Sequence, residues 1–150
     1  MAQNSLEREA ALDRSPPGRA KLVVMSAESA APSGFHSVTP RIVVSDAAAL
    51  VEFLRAVFHA TGDAMLDRPA EMRIGDSVVM VSEAGERETF PAFLYVYVDD
   101  ADTTYERALA GGAVSLEKPW NTPYGDRRAM VRDLFGNVFQ IADQRTTDAR

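Results

Sequence analysis

The same order of predicted elements occurs twice in the sequence: a strand, an acidic residue, a helix and further strands. In the first half "SVTPRIVVSD" alternates as a strand does, and "DAAALVEFLRAVF" places Leu50, Val51 and Leu54 at helical spacing. In the second half "AFLYVYVDD" and "DADTTYERALAGG" repeat this order, so that Asp46 and Asp99 each end a strand and open a helix, 53 residues apart. A duplicated unit constrains the fold strongly, because both copies must build the same topology. The sequence predicts a βαβββ unit used twice.

Turn and cap residues mark the boundaries inside each unit. The stretch "AEMRIGDSVVMVSE" predicts a hairpin that turns at 75–76, and "RRAMVRD" with "NVFQIAD" predicts a closing hairpin that turns at 133–136. Asp46 is the expected N-cap of the first helix, and Gly62 is its expected C-terminal stop. A short and poorly marked strand is expected at 63–68.

Composition limits the classes of function. The chain has 150 residues, 46% of them hydrophobic and 25% charged, which is typical of a globular domain. The net charge of −6 and the pI near 4.9 argue against binding to nucleic acid, which requires a basic surface. No apolar run approaches the roughly 20 residues that cross a bilayer. Without cysteine there is no disulfide or thiolate, and without a secretory pattern we expect a cytoplasmic location.

The two ends of the chain differ from its middle. Residues 1–34 are rich in serine, alanine and proline and show no sustained period, which predicts a disordered tail. Met25 is a second candidate for the start of translation. We expect a domain at 35–145 and a short C-terminal tail at 146–150.

Four stretches in this order resemble the vicinal oxygen chelate superfamily of glyoxalases, bleomycin-resistance proteins and extradiol dioxygenases. They are "TPRIVVSDAAALVEFLRAVF", "IGDSVVMVSE", "LYVYVDDADTTYERALAGGA" and "YGDRRAMVRDLFGNVFQIA". Within the superfamily they resemble the glyoxalase-like, phosphonate-operon-like branch, with Leu134 where that family usually has proline. The resemblance implies an α+β fold, in which modules at 37–88 and 91–143 form a curved mixed sheet around a central pocket. It also implies a homodimer.

The resemblance locates four positions that hold a divalent metal in active members of the superfamily. Counted from the strand ends, these positions are Thr39, Met80, Phe93 and Gln140 in this sequence. A phenyl ring donates nothing to a metal, and a thioether, a hydroxyl and an amide are poor ligands for such an ion. Neither histidine falls on one of the positions. We therefore expect no metal and no cofactor.

Strand alternation extends these positions to a predicted pocket. Arg41 would follow Thr39 inward and share a wall with Tyr95 and Gln140, and a guanidinium that faces a cavity needs an anionic or carbonyl partner. Two alternatives stay open: the aromatic rings fill a small core, and Arg41 pairs with Glu71 or another acid. Residues in the connection before the last hairpin could form a rim or a dimer contact. The predicted ligand-binding residues are Thr39, Arg41, Met80, Ser82, Phe93, Tyr95, Tyr97, Trp120, Tyr124 and Gln140.

Two functions fit this pattern. The first is a metal-free binding protein that sequesters a small hydrophobic or aromatic compound, as drug-resistance members do. The second is a metal-independent lyase, isomerase or cyclase that acts on a small metabolite, for example in natural-product biosynthesis. A metal-dependent glyoxalase or dioxygenase comes third. Whether the protein is an enzyme stays open. Binding is favoured because all four metal ligands are absent and the predicted pocket face is aromatic, and no nucleophile and base pair is recognisable.

Overall fold

The computed structural model describes residues 30–145. The chain divides between Ser37 and Val38 into two units. In the described part of the first, residues 30–37, the Phe35 amide donates to the Pro32 carbonyl (3.0 Å). The second unit holds two helices and seven strands among its described residues. They are β1 (Arg41–Val44), α1 (Ala47–Phe58), β2 (Ala70–Ile74), β3 (Ser77–Glu83), β4 (Phe93–Tyr97), α2 (Ala101–Ala110), β5 (Val114–Asn121), β6 (Asp126–Arg132) and β7 (Val138–Gln144). The tail boundaries predicted at 1–34 and 146–150 fall wholly or largely outside the described residues.

The strands form two sheets of the same topology. The first sheet has the order β1-β3-β2 and the second has the order β4-β7-β6-β5. In each sheet the first strand pairs in parallel with the last strand of its module, and the last two strands form an antiparallel hairpin. The α+β class and the repeated module are thus confirmed. The prediction of a strand at 63–68 is wrong. At the place that β5 takes in the second module, the first module has an isolated antiparallel bridge between Thr61 and Arg73.

Helix α1 begins as predicted and ends earlier than predicted. The side chain of Asp46 accepts a hydrogen bond from the Ala49 amide (3.0 Å) and caps the first turn. The helix ends at His59, which takes the left-handed conformation with φ 54°, so Gly62 is not its stop. Gly62 serves a different purpose. A Cβ there would lie 2.4 Å from the Glu71 carbonyl oxygen, so only glycine allows the chain to pass this close.

Helix α2 begins one residue later than the repeat suggested. Its N-cap is Asp100, whose side chain accepts from the Thr103 amide (3.0 Å), and not Asp99. Neither helix within residues 30–145 is long and apolar enough to cross a membrane.

The two modules share one core. Helix α1 packs on the first sheet, α2 packs on the second, and the helices contact each other. The fully buried Phe139 of β7 stacks against two rings of α1, with centroids 5.9 Å from Phe53 and 5.3 Å from Phe58. Arg107 of α2 donates from Nε (3.1 Å) and Nη2 (2.9 Å) to the Val57 carbonyl. The strand residues on the helix-facing side lie in or against this core: Ile42, Val44, Val79, Val81, Leu94, Val96, Val98, Phe139 and Ile141.

The predicted turn of the closing hairpin is confirmed and contains a buried polar cluster. Asp133 Oδ1 accepts from the amides of Phe135 (2.8 Å) and Asn137 (2.9 Å). The fully buried Asn137 donates from Nδ2 to Asp133 Oδ2 (2.8 Å) and accepts from the Ala92 amide (2.9 Å). These bonds fix the turn without the usual proline, because Leu134 is 77% exposed and only has to reach an ordinary φ.

Candidate functional site

The second sheet turns one face away from the helices. On β7, Gln140 alternates with the buried Phe139 and Ile141, so it points away from the core. Tyr95 of β4 lies beside Gln140 on one side, and Met130 of β6 lies beside it on the other. We call this surface the outer face. Its members, taken from the strand register, are Phe93, Tyr95, Tyr97, Val138, Gln140, Ala142, Arg128, Met130, Arg132, Glu117 and Trp120.

Three aromatic side chains of β4 form a row along the outer face. Phe93, Tyr95 and Tyr97 are 64%, 37% and 63% exposed, so they do not fill a core as the alternative supposed. The rings of Tyr95 and Tyr97 lie 5.3 Å apart at 55°, a tilted arrangement that leaves ring surface open to a ligand.

Asp126 anchors the two phenols of this row. Its carboxylate Oδ2 accepts from the hydroxyl of Tyr95 (2.7 Å) and from the hydroxyl of Tyr97 (2.9 Å), and the residue is only 5% exposed. The turn before β6 holds it in place. Thr122 Oγ1 accepts from the Asp126 amide (3.0 Å) and donates to its carbonyl (2.9 Å), and Gly125 takes φ 97° between them. The carboxylate is therefore fixed at one end of the outer face.

The pKa values of both tyrosines are raised above the ordinary value. Burial is the first cause that raises the pKa of Tyr95, followed by its hydrogen bonds with Asp126 and Tyr124. The hydrogen bond to Asp126 is the first cause that raises the pKa of Tyr97. Both phenols therefore stay protonated at neutral pH, and each has committed its one proton to the carboxylate.

Asp126 is not among the ligand-binding residues that were predicted from the sequence. The stretch "YGDRR" reads as a structural turn with exposed charges, but the structure buries its aspartate under two tyrosines from another strand. A signal was available, since Asp126, Arg128 and Met130 alternate with the core residues Ala129 and Val131. That alternation assigns the aspartate to the face of the aromatic row.

This surface continues onto β5 and the β5–β6 turn through Trp120, Tyr124 and an ion pair. Arg128 donates from Nε to Glu117 Oε1 (2.9 Å) and from Nη1 to the Tyr124 hydroxyl (2.7 Å). Its guanidinium lies 5.4 Å from the Trp120 ring centroid, and the indole Nε1 donates to Glu117 Oε1 (2.7 Å). The hydrogen bond from Arg128 is the first cause that holds the pKa of Glu117 below its ordinary value. The predicted rim residues thus form a connected polar edge.

The structure places the other predicted residues on the first sheet. Arg41 pairs in register with Met80, and its Nε donates to the buried Ser82 Oγ (2.8 Å), so the contact shown is not the ion pair with Glu71. A cavity of about 250 Å³ beside Arg41 lies under the loop after α1. Thr39 precedes β1. The structure thus puts Arg41 on the first sheet, in contact with Ser82, and the tyrosines and Gln140 on the second.

A second cavity of about 250 Å³ opens beside Tyr95, between β4 and the β2–β3 turn. A third, of about 350 Å³, lies between α2 and the end of α1 and includes His59. Sites for drug-sized compounds usually hold about 300–1,000 Å³. The cavity beside Tyr95 is smaller than this, so a ligand of that size near Tyr95 would also contact the open outer face.

The donor set does not fit the divalent metal that the fold family implies. Thr39, Met80, Phe93 and Gln140 offer no carboxylate and no imidazole. Within residues 30–145, no group of three histidine or acidic side chains is arranged to hold a metal ion.

Comparisons with known proteins show the family to which this chain belongs. A model of the Glyoxalase/Bleomycin resistance protein/Dioxygenase superfamily matches residues 34–141, and the chain belongs to this superfamily. An uncharacterised protein of Mycobacterium bovis is 28% identical over 123 residues, which cover 70% of this chain and 81% of that protein. The phosphonate-operon-like branch stays a prediction.

Solved structures share the fold. TioX from Micromonospora sp. ML1 matches with a TM-score of 0.63 and 24% identity, over 71% of this chain and 97% of TioX. A glyoxalase/bleomycin resistance protein/dioxygenase family enzyme from Burkholderia phytofirmans PsJN matches with a TM-score of 0.61 and 23% identity, over 71% of this chain and 96% of that chain.

Proposed function

We propose that this protein binds a small hydrophobic or aromatic compound on its outer face, without a divalent metal. The observation that carries the proposal is the exposed row of Phe93, Tyr95 and Tyr97 on one strand. Large rings are rarely left in such a row on a surface without a partner. A planar ligand stacked on it gains about 0.5–1.5 kcal/mol per ring beyond the apolar area that it buries. Gln140, half-buried beside Tyr95, offers an amide to orient that ligand.

Binding is better supported than catalysis. An enzyme using this face would need a group that gives or takes a proton near neutral pH. The raised pKa of Tyr95 works against that role, because its proton is held by burial and by Asp126. The lyase, isomerase or cyclase alternative therefore has no proton carrier in the aromatic row. Sequestration of a compound, as expected for a drug-resistance-like protein, needs none.

A homodimer would complete the site. The outer face is open in one chain, and a two-fold partner is the commonest way for a soluble protein to cover such a surface. Light scattering at micromolar concentration should give the mass of a dimer, whereas a monomer at all concentrations up to that range would contradict this part of the proposal.

The binding test starts from the compound that the protein carries. Native mass spectrometry of the full chain should show a bound small molecule, and extended incubation should return it unchanged. Chemical conversion of that compound would instead favour the enzyme. Phe93→Ala should weaken rebinding about tenfold, which corresponds to roughly 1.4 kcal/mol of lost stacking. Leu134→Ala is the matched control, because Leu134 is 77% exposed but lies in the β6–β7 turn. Equal binding by both variants would refute the proposed face.

A further inference from the structure

We propose that the compound bound on the outer face carries a protonated amine or another cationic hydrogen-bond donor, held against Tyr95 and Tyr97 by the charge of Asp126. This inference rests on the proposed function, since it specifies the chemistry of the ligand at the same surface. It specifies the charge of the ligand and whether its polar groups donate or accept hydrogen bonds, and the row of aromatic rings alone defines neither.

Hydrogen-bond direction is the first argument. A phenol has one proton to donate and lone pairs that accept. Tyr95 and Tyr97 both direct that proton to the same oxygen of Asp126, at 2.7 and 2.9 Å. Their hydroxyl oxygens can then only accept from a further partner, and that of Tyr95 also has a hydrogen bond with Tyr124. A ligand that meets these two oxygens must therefore bring donors, and a carbonyl or carboxylate there would find no proton.

Charge is the second argument. Asp126 is only 5% exposed, and within residues 30–145 its carboxylate has no salt bridge. The nearby cation, Arg128, is matched by Glu117 in a two-point contact of 2.9 and 3.3 Å. This end of the outer face thus keeps one negative charge that its own side chains do not neutralise. Shielding from water strengthens the field of that charge at the surface above it.

The rings supply the third argument. A cation over the face of a tyrosine or phenylalanine is attracted by the negative face of the ring. Donation to a carboxylate makes a phenol more electron-rich, because hydrogen bonds in a chain polarise one another. The molecule already shows this preference nearby, since the guanidinium of Arg128 lies over the ring of Trp120.

The test compares three probes that share one ring system. At pH 8, 9-aminoacridine is a cation, acridine is neutral and acridine-9-carboxylate is an anion. Fluorescence anisotropy and calorimetry with the full chain should show 9-aminoacridine binding about tenfold or more tighter than acridine, and the carboxylate weakest. Asp126→Asn should remove most of this preference, because asparagine still accepts from both phenols but carries no charge.

Two further variants control the result. Glu106→Gln removes one negative charge from the exposed side of α2 and should leave the preference intact. Tyr97→Phe removes one accepting oxygen at a 63% exposed position, and it should weaken the cation several-fold even if Asp126→Asn folds poorly.

The outcomes separate the two proposals. Equal or weaker binding of the cation, relative to acridine, would overturn the cationic ligand and leave the aromatic-binding function standing. A cation preference that survives both Asp126→Asn and Tyr97→Phe would also overturn it. If none of the three probes binds, both proposals fail.

Discussion

Asn137→Ala tests how the closing hairpin is fixed to the rest of the domain. The side chain is fully buried and joins two segments: it donates to Asp133 within the β6–β7 turn and accepts from the Ala92 amide just before β4. Alanine keeps the backbone of the turn but removes both bonds. It leaves a carboxylate oxygen and an amide without these partners in a region where water has little access.

The expected loss follows from these two bonds. A hydrogen bond to a charged group contributes about 1.5–3 kcal/mol, and one between neutral groups about 0.5–1.5 kcal/mol. We therefore expect Asn137→Ala to lower the free energy of unfolding by about 3 kcal/mol. At roughly 2–4 °C per kcal/mol for a chain of this size, the melting temperature should fall by about 6–12 °C.

Urea denaturation followed by circular dichroism measures this loss. Leu134→Ala in the same turn is the control and should change the free energy of unfolding by less than about 0.5 kcal/mol, as exposed substitutions do. A double-mutant cycle with Asp133→Ala should show a coupling of about 1 kcal/mol or more. If Asn137→Ala costs under about 1 kcal/mol, the buried cluster does not stabilise the hairpin and the reasoning is wrong.

Four other outcomes are expected. Starting the chain near Ser33 should leave the melting temperature almost unchanged, because the removed segment has few apolar groups to bury; a drop of many degrees would mean that it docks. Elemental analysis of untagged protein should find zinc, nickel, manganese and iron well below stoichiometric amounts, and a chelator should not change the melting temperature. Since Arg128 lowers the pKa of Glu117, the stability from this pair is present above the ordinary glutamate range and is lost as the pH falls through the lowered value. Glu117→Gln should therefore flatten the fall of stability in acid. Burial is the first cause that raises the pKa of Tyr95, and the hydrogen bond to Asp126 raises it further, so Asp126→Asn should move tyrosinate absorbance to lower pH.

The sequence predicted those parts of the fold that depend on neighbouring residues. Alternation along β4 and β7 separated the core face from the outer face, because side-chain direction in a strand is a local property. The Asp46 cap and the turn at 133–136 were predicted for the same reason. The end of α1 was not, because the strongest local breaker, Gly62, is needed against the Glu71 carbonyl, and His59 takes the left-handed turn in its place.

The candidate site shows where local patterns stop being sufficient. Tyr95 and Tyr97 were identified, but their shared partner Asp126 lies 31 and 29 residues further along the chain. Its own neighbours indicate the face on which it lies, but not the two tyrosines that donate to it. Arg41 was expected on the same wall, yet its strand joins the other sheet and its guanidinium contacts Ser82.

The burial of Phe139 against Phe53 and Phe58 bears on how the domain unfolds. The ring from one module is buried by the helix of the other, so neither unit encloses its own apolar surface. Separating the two units would open this shared interior to water. We therefore expect both sheets to be lost together, in one cooperative transition.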